Sequence, residues 1–247
     1  MDLGAPAKSQ IKGLVFDKDG TLFDFNATWG AVVRQLLVAE AGGDRDLVDR
    51  LAQALGYDLA QNRFHPGSVV IAEPTYVVAE VIAELTHQTD LQALTDRMND
   101  LSAGVPQVHA ADLPALMTQL RAQGHTLGVV TNDAVTPAIR HLKDALIKDK
   151  MAFVAGYDSG FGAKPAPGQL LAFCTATGLD PAQCAMIGDS THDLVAGQAA
   201  GMVCIGVLTG PACREELTPH ADAVLGSIAE LPRWLDSRRM GTKFPAV

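Results

Sequence analysis

Two carboxylates stand at alternate positions after a short apolar run: Asp17 and Asp19 follow residues 13–16 and precede a glycine and a threonine. Side chains at positions i and i+2 of an extended segment point the same way, which predicts that Asp17 and Asp19 meet at the end of a strand, with Lys18 turned aside. Two carboxylates at ~4 Å repel by about 4 kcal/mol at an effective dielectric constant of ~20. Folding alone rarely selects such a pair, so the spacing indicates a bound metal ion or a shared proton.

Further polar residues lie after two other apolar runs and before one predicted helix. They are Thr131, Asn132, Lys164, Asp189 and Asp193. In open α/β sheets, ligands bind outside the carboxyl ends of the strands. The sequence therefore predicts that these residues and the Asp17–Asp19 pair converge on one site.

These residue types suit phosphoryl transfer through an aspartyl phosphate. A carboxylate can attack phosphorus, but the attacking group and the phosphate are both anions. A divalent cation held by Asp17 and Asp189 would offset that repulsion, and hard oxygen ligands suit Mg²⁺. Lys164 would add a second positive charge on the phosphate and orient the nucleophile.

The other polar groups meet the remaining needs of this chemistry. The Thr131 hydroxyl and the Asn132 amide are hydrogen-bond donors for the equatorial phosphoryl oxygens, where charge must be stabilised. Asp19 would serve as the general acid for the leaving oxygen and then as the base for water.

Short apolar runs alternate with helix-like segments along most of the chain, which predicts a doubly wound, Rossmann-like α/β fold with a parallel sheet. The predicted strands cover 13–16, 126–130, 152–155, 185–187 and 203–207. The predicted helices between them cover 113–123, 136–144, 168–177 and 193–200.

Residues 24–106 break this alternation and show helical periodicity over 29–41, 45–55, 75–86 and 91–103, with a loop at 61–67. We interpret residues 24–106 as an all-helical cap inserted after the first strand. Residues 1–23 and 107–247 would then form the α/β core, with a mobile tail from residue 237.

The four polar segments resemble, in order, the four motifs of the haloacid dehalogenase superfamily, and with the insertion the resemblance covers nearly the whole chain. Residues 17–22 read Asp-Lys-Asp-Gly-Thr-Leu, and Val-Val-Thr-Asn, Lys-Pro and Gly-Asp-Ser-Thr-His-Asp follow at 129–132, 164–165 and 188–193. The helical insertion is similar to that of the phosphoglycolate phosphatase branch. Many members have serine where this chain has Phe25, at the entry to the cap, which concerns the substrate rather than the chemistry.

The resemblance implies a role for each motif residue. Asp17 would be the nucleophile and a Mg²⁺ ligand, and Asp19 the acid and base, lending its backbone carbonyl to the metal. Thr131 and Lys164 would hold the phosphoryl group. Asp189 would also ligate Mg²⁺, and Asp193 would support the metal's surroundings. The carboxylate at Asp19 favours phosphomonoester hydrolysis over dehalogenation, with a small, phosphoglycolate-like metabolite as the default substrate.

The net charge of −9 argues against nucleic acid as the main partner. The four cysteines show no metal-binding spacing, which predicts small buried side chains in a reducing compartment. The N-terminus lacks the pattern of a secretory signal, and no apolar run approaches the ~20 residues that span a bilayer. We therefore expect a cytoplasmic protein, a monomer or a homodimer, with no membrane partner.

Other interpretations remain open from the sequence. In the cap, Arg63 and His65 could meet a second anionic group of the substrate, although a solvated loop is the simpler interpretation. His109, His141 and His192 show no ligand spacing and are expected to pack or to lie at the surface. A phosphosugar mutase of the β-phosphoglucomutase type would share the four motifs. A phospho-accepting signalling receiver fits poorly, because receivers are about half this length and lack the insertion.

Overall fold

The computed structural model describes residues 10–65, 67–242 and 244. The strands, in chain order, are β1 (Gly13–Phe16), β2 (Tyr57–Asp58), β3 (Arg63–Phe64), β4 (Thr126–Val130), β5 (Phe153–Ala155), β6 (Cys184–Gly188), β7 (Val203–Val207) and β8 (Ala223–Leu225). The helices are α1 (Phe25–Glu40), α2 (Arg45–Ala54), α3 (Val69–Ala72), α4 (Thr75–Thr86), α5 (Leu91–Ala103), α6 (Leu113–Ala122), α7 (Val135–Asp144), α8 (Gly168–Thr177), α9 (Thr191–Ala200), α10 (Arg214–Leu217) and α11 (Leu231–Met240).

The core is a six-stranded parallel sheet in the order β5-β4-β1-β6-β7-β8. Strand β1 lies at its centre, where Val15 pairs with Gly128 of β4 and with Met186 of β6. Leu14 and Phe16 pack on one face with α6, α7 and α11, whereas Val15 packs on the other with α8 and α9. Because helices cover both faces, the strands are apolar throughout, and the predicted doubly wound α/β core is confirmed.

Helices α1, α2, α4 and α5 share a separate cluster of buried apolar side chains, among them Leu37, Leu51, Ile82 and Leu94. Helix α1 begins where the Asp24 carboxylate accepts a hydrogen bond from the Ala27 amide over 2.9 Å. Such an N-cap satisfies a backbone donor that has no partner within the helix.

The segment between β1 and α6 is not all-helical, contrary to the prediction. Strands β2 and β3 form a two-stranded antiparallel hairpin in which Tyr57 pairs with Phe64. Each strand is two residues long, which is too short to give an alternating pattern, so the sequence indicated only a loop there. Pro66 of that predicted loop lies outside the described residues.

The C-terminal third departs from the prediction in three places. Strand β8 extends the sheet by only three residues and was not anticipated, nor was α10. Helix α11 includes Ser237, where a mobile tail was expected, and the remainder of that tail at 243 and 245–247 lies outside the described residues. Cys174, Cys184 and Cys204 are buried as predicted, but the prediction is wrong for Cys213, which is exposed where α10 begins.

No helix in the described part of the chain is both long and apolar enough to cross a membrane. The N-terminal residues on which the signal-peptide prediction rests lie outside the described range.

Candidate active site

Three neighbouring strands deliver their following residues to one edge of the sheet. Asp17 follows β1, Thr131 follows β4, and Asp189 follows β6. Lys164 joins them from the loop before α8, and Asp193 from the first turn of α9. All five are buried. The structure therefore brings together residues that are spread over more than two-thirds of the sequence.

The Lys164 ammonium group bridges two carboxylates. Its Nζ donates to Oδ1 of Asp17 and to Oδ1 of Asp193, each over 2.5 Å. Asp193 also accepts through Oδ2 from the Ser190 hydroxyl over 2.7 Å and from the Ser190 amide over 3.1 Å, which caps α9. Asp193 thus fixes Lys164 relative to the helix, and Lys164 in turn fixes Asp17.

The Asn132 side chain makes two hydrogen bonds to the backbone of Lys164. Its side-chain amide donates to the Lys164 carbonyl oxygen over 2.8 Å, and its Oδ1 accepts from the Lys164 amide over 2.8 Å. These two bonds hold the Lys164 backbone against β4, and Asn132 also lines the same cavity as Asp17. The Thr131 hydroxyl oxygen accepts from the Asp133 amide over 3.0 Å and lines the same cavity as Asp17.

Three of the buried carboxylates lie close enough to share a cation. One oxygen from each of Asp17, Asp189 and Asp193 lies within 4.8 Å of the others. Burial raises the pKa of Asp17 to about 7, although Lys164 opposes the rise, and burial with the nearby charges of Asp17 and Asp193 raises the pKa of Asp189 well above its usual range. Three carboxylates with a single ammonium group among them leave negative charge uncompensated, and such a set of oxygen donors fits a hard divalent cation such as Mg²⁺.

Two glycines, Gly20 and Gly210, leave room for the Asp189 side chain because neither carries a Cβ atom. Gly20 has φ of +83°, and a Cβ there would lie 2.2 Å from Oδ2 of Asp189. A Cβ on Gly210 would lie 1.7 Å from the same oxygen. Gly210 was not among the residues predicted from the sequence. The available signal was its position in the loop after β7, a strand predicted to end at the same edge. The Thr21 hydroxyl donates to Oδ1 of Asp189 over 3.3 Å.

Asp19 lines the same cavity as Asp17, but its carboxylate has different partners. The indole Nε1 of Trp29 donates to Oδ1 of Asp19 over 3.0 Å, and Lys18 forms an ion pair with Oδ2. Burial raises the pKa of Asp19, but the charge and hydrogen bond of Lys18, with the Trp29 hydrogen bond, more than offset this and hold the pKa below its usual range. In this arrangement Asp19 is ionised.

Lys18 is fully buried, which corrects the expectation that it turns aside. Its Nζ contacts Oδ2 of Asp133 at 3.3 Å and Nδ1 of His141 at 3.2 Å, and the other ring nitrogen of His141 lies 2.8 Å from the Ser102 carbonyl oxygen. Burial lowers the pKa of His141, so a neutral ring donates to Ser102 and accepts from Lys18. Because Ser102 belongs to α5, this network joins α5 to the edge of the sheet at which Asp17 and Asp189 lie.

A cavity of about 120 Å³ lies over these residues and extends between the core and helices α1, α3, α4 and α5. Phe25, the residue that departs from the family pattern, is buried in the cap and lines this cavity. His192 also lines it, and its Nε2 lies 3.5 Å from a carboxylate oxygen of Glu73 in the cap. Arg63 does not: it is exposed on β3 and is absent from the described residues that line the cavity, so the structure does not bring it to the site.

A comparison with protein-family models identifies a haloacid dehalogenase-like hydrolase over residues 11–201. The chain is 31% identical over 225 residues to a phosphoglycolate phosphatase of Yersinia pestis, covering 90% of this chain and 91% of the relative. Among solved structures, a hydrolase of this family from Deinococcus radiodurans superposes with a TM-score of 0.64 at 23% identity, covering 96% of this chain and all of the other. CbbY from Rhodobacter sphaeroides gives a TM-score of 0.62 at 19% identity, covering 90% and 96%.

Proposed function

This chain belongs to the haloacid dehalogenase-like hydrolase family and is a phosphatase, and we propose that it hydrolyses a small phosphomonoester metabolite with Mg²⁺, through a phosphate ester of Asp17. The observation that carries the proposal is the Asp17 carboxylate, which is buried among two further carboxylates and one ammonium group at the catalytic edge.

In the first step an oxygen of Asp17 attacks phosphorus, and the bond from phosphorus to the leaving oxygen breaks. Lys164 orients Asp17 through their 2.5 Å hydrogen bond and neutralises part of the charge that the two anions bring together. The Thr131 hydroxyl, just after β4, would donate to a phosphoryl oxygen. Asn132 acts indirectly, because it holds the backbone of Lys164.

Asp19 would transfer the protons of both steps. As an acid it protonates the leaving oxygen, and as a base it takes a proton from the water that hydrolyses the Asp17 phosphate. The ion pair with Lys18 holds Asp19 in the ionised form, which suits the second step. For the first step the dianionic phosphate must raise the pKa of Asp19, since a neighbouring negative charge disfavours a second one.

When bound, Mg²⁺ would supply positive charge between the nucleophile and the phosphate. Its protein ligands would be Asp17, Asp189 and the backbone carbonyl of Asp19, with Asp193 supporting them through Lys164. We further propose that residues 24–106 form the cap domain, which covers the site and excludes bulk water during the reaction.

The test is release of inorganic phosphate from a panel of phosphomonoesters, with Mg²⁺ or with chelator. We expect release that needs Mg²⁺ and is abolished in Asp17→Asn. Asp112→Asn is a matched control, because Asp112 caps α6 away from the site and asparagine caps a helix equally well. Wild-type protein quenched in acid should retain phosphate in a hydroxylamine-sensitive bond, and Asp17→Asn should not.

Product analysis in the same assay separates hydrolysis from a phosphosugar mutase. A hydrolase gives inorganic phosphate and an alcohol in equal amounts. Phosphate that moves to another position of the same sugar, without release, would contradict the proposal.

A further inference from the structure

The cap contributes an apolar lining to the cavity above the catalytic edge. The side chains come from four helices, and they include Trp29, Val33, Leu36, Ile71, Val78 and Met98. The indole nitrogen of Trp29 is already bonded to Asp19 and the Lys18 Nζ lies 5.9 Å from the ring centroid, so the rest of the ring adds apolar surface to the lining. A substrate's alcohol portion that extends from the phosphate toward the cap therefore contacts mainly apolar side chains.

Positive charge for a second anionic group is missing from this lining. Among the described residues that line the cavity, the cap contributes one charged side chain, and it is the acidic Glu73. The Nε2 atom of His192, from the core, lies 3.5 Å from a carboxylate oxygen of Glu73, and Lys164 is held between Asp17 and Asp193.

The arginines of the cap point elsewhere. Arg97 pairs with Glu40 at 3.2 Å and is half-exposed, and Arg34 donates to the Leu59 carbonyl oxygen over 2.9 Å. Neither belongs to the described lining of the cavity.

The apolar character of this lining and its acidic Glu73 are unfavourable for binding phosphoglycolate, the substrate in the name of the Yersinia pestis relative. Phosphoglycolate carries a carboxylate one carbon from its ester oxygen, and that carboxylate would enter an apolar space facing Glu73. Burial of an unpaired charge is strongly unfavourable, whereas each methylene group that enters such a space improves binding about fourfold.

Resting on the function proposed above, we propose that the physiological substrate is a phosphomonoester with an uncharged, mainly apolar leaving group of the alkyl or aryl class. The phosphoryl group occupies the catalytic edge, and the alcohol portion packs against the cap helices. The apolar cap is thus the specificity element of the enzyme, and it selects against a second anionic group.

The test is a comparison of kcat/KM for ethyl phosphate, n-butyl phosphate, phosphoglycolate and the uncharged phosphoglycolamide, at one Mg²⁺ concentration. The last two differ in charge but hardly in shape. We expect n-butyl phosphate to exceed ethyl phosphate by about fifteenfold, as two buried methylene groups predict, and phosphoglycolamide to exceed phosphoglycolate by at least tenfold. Equal values in both pairs, or a preference for phosphoglycolate, would overturn the inference and leave the phosphatase function intact.

A charge placed in the lining gives a second test. Leu101 lines the cavity and is 37% exposed, so Leu101→Arg adds a cation without burying it. The ratio of kcat/KM for phosphoglycolate to that for n-butyl phosphate should rise at least tenfold. Leu91→Arg, at the other end of α5 and 40% exposed outside the described lining, is the matched control and should leave the ratio unchanged.

Different results would overturn the proposed function and the proposed substrate class. If folded protein with Mg²⁺ releases no phosphate from any of these esters, both the proposed function and the substrate class are overturned. If Leu101→Arg and Leu91→Arg change the ratio equally, the apolar cap is not the specificity element.

Discussion

Trp29 of the cap donates its indole N–H to Oδ1 of Asp19 in the core over 3.0 Å, while Lys18 occupies the other carboxylate oxygen. Both oxygens of the proposed acid and base are therefore held, one by each domain. Trp29 also lines the apolar part of the cavity, so the residue that orients Asp19 is one that the proposed substrate would contact. The orientation of Asp19 thus depends on where the cap lies.

Replacement of Trp29 by phenylalanine keeps an aromatic ring but removes this hydrogen bond. A hydrogen bond to a charged group contributes roughly 1.5–3 kcal/mol, so kcat should fall about tenfold or more if the bond orients Asp19 during turnover. The measurement is phosphate release under saturating substrate. Trp234→Phe, in α11 on the far side of the core, is the matched control and should keep its kcat. An equal loss in the two variants would show that the effect is not specific to Asp19.

Most of the site could be predicted from sequence because its residues directly follow long, buried strands. Residues that end such strands must lie at one edge of the sheet, and this places Asp17, Thr131 and Asp189 without knowledge of side-chain contacts. Lys18 could not be placed in this way. Strand β1 ends at Phe16, so the alternation that would turn Lys18 away from Asp19 does not extend to it, and its partner His141 lies 123 positions further along the chain.

The cap was less predictable for a related reason. The helices of the cap could be predicted from the periodic spacing of their apolar residues. Which face of each helix contacts the core depends on packing between distant segments, and periodicity does not show that. Periodicity did not indicate that the apolar faces of α1 and α5 line a cavity above the site. Arg63, which the sequence suggested as a partner for a second anionic group of the substrate, is exposed on a two-residue strand.

The buried ion pairs of Lys18 predict a large effect on stability. Lys18→Met would leave Asp19 and Asp133 buried without their cation, which should lower the free energy of unfolding by about 3–5 kcal/mol. Chemical denaturation measures this. Arg140→Met removes an exposed pair with Asp144 and should cost less than about 1 kcal/mol.

Addition of Asp133→Asn to Lys18→Met should restore part of the loss, because one of the two unpaired carboxylates is then neutral. If Lys18→Met alone costs no more than Arg140→Met, the buried network does not contribute as the structure indicates.

The raised pKa of Asp17 predicts that Mg²⁺ stabilises the protein more strongly at high pH. Its pKa is about 7 in the folded protein against an ordinary value of 3.8, so the folded state holds this proton more tightly than the unfolded chain. The contribution of Asp17 to stability is therefore complete below about pH 4 and is lost as the pH rises through about 7. A cation replaces the proton, so its effect grows over the same range.

Thermal unfolding with chelator and with Mg²⁺, at pH 5 and at pH 8, measures this difference. With Mg²⁺ at about 100 times its Kd at pH 8, the stabilisation should be about 2.7 kcal/mol, and it should be clearly smaller at pH 5 with the same Mg²⁺ concentration. Asp17→Asn should reduce the dependence on pH. A Mg²⁺ effect of equal size at both pH values would contradict the assignment of Asp17 to the metal.

The close approach of Gly210 to Asp189 predicts that a larger residue at position 210 weakens metal binding, although glycine itself has no side chain that could bind the metal. In Gly210→Ala the new Cβ would lie 1.7 Å from Oδ2 of Asp189 if nothing moved, so the Asp189 carboxylate or the loop that carries residue 210 must shift. We expect Mg²⁺ to bind at least tenfold more weakly by calorimetry, which corresponds to about 1.4 kcal/mol, while the protein remains folded. Gly104→Ala is the control, because its Cβ would approach no atom closer than 3.5 Å and its φ is an ordinary −91°. Unchanged Mg²⁺ affinity in Gly210→Ala would mean that Asp189 can move without loss of the metal, and Asp189 would then not be a required ligand.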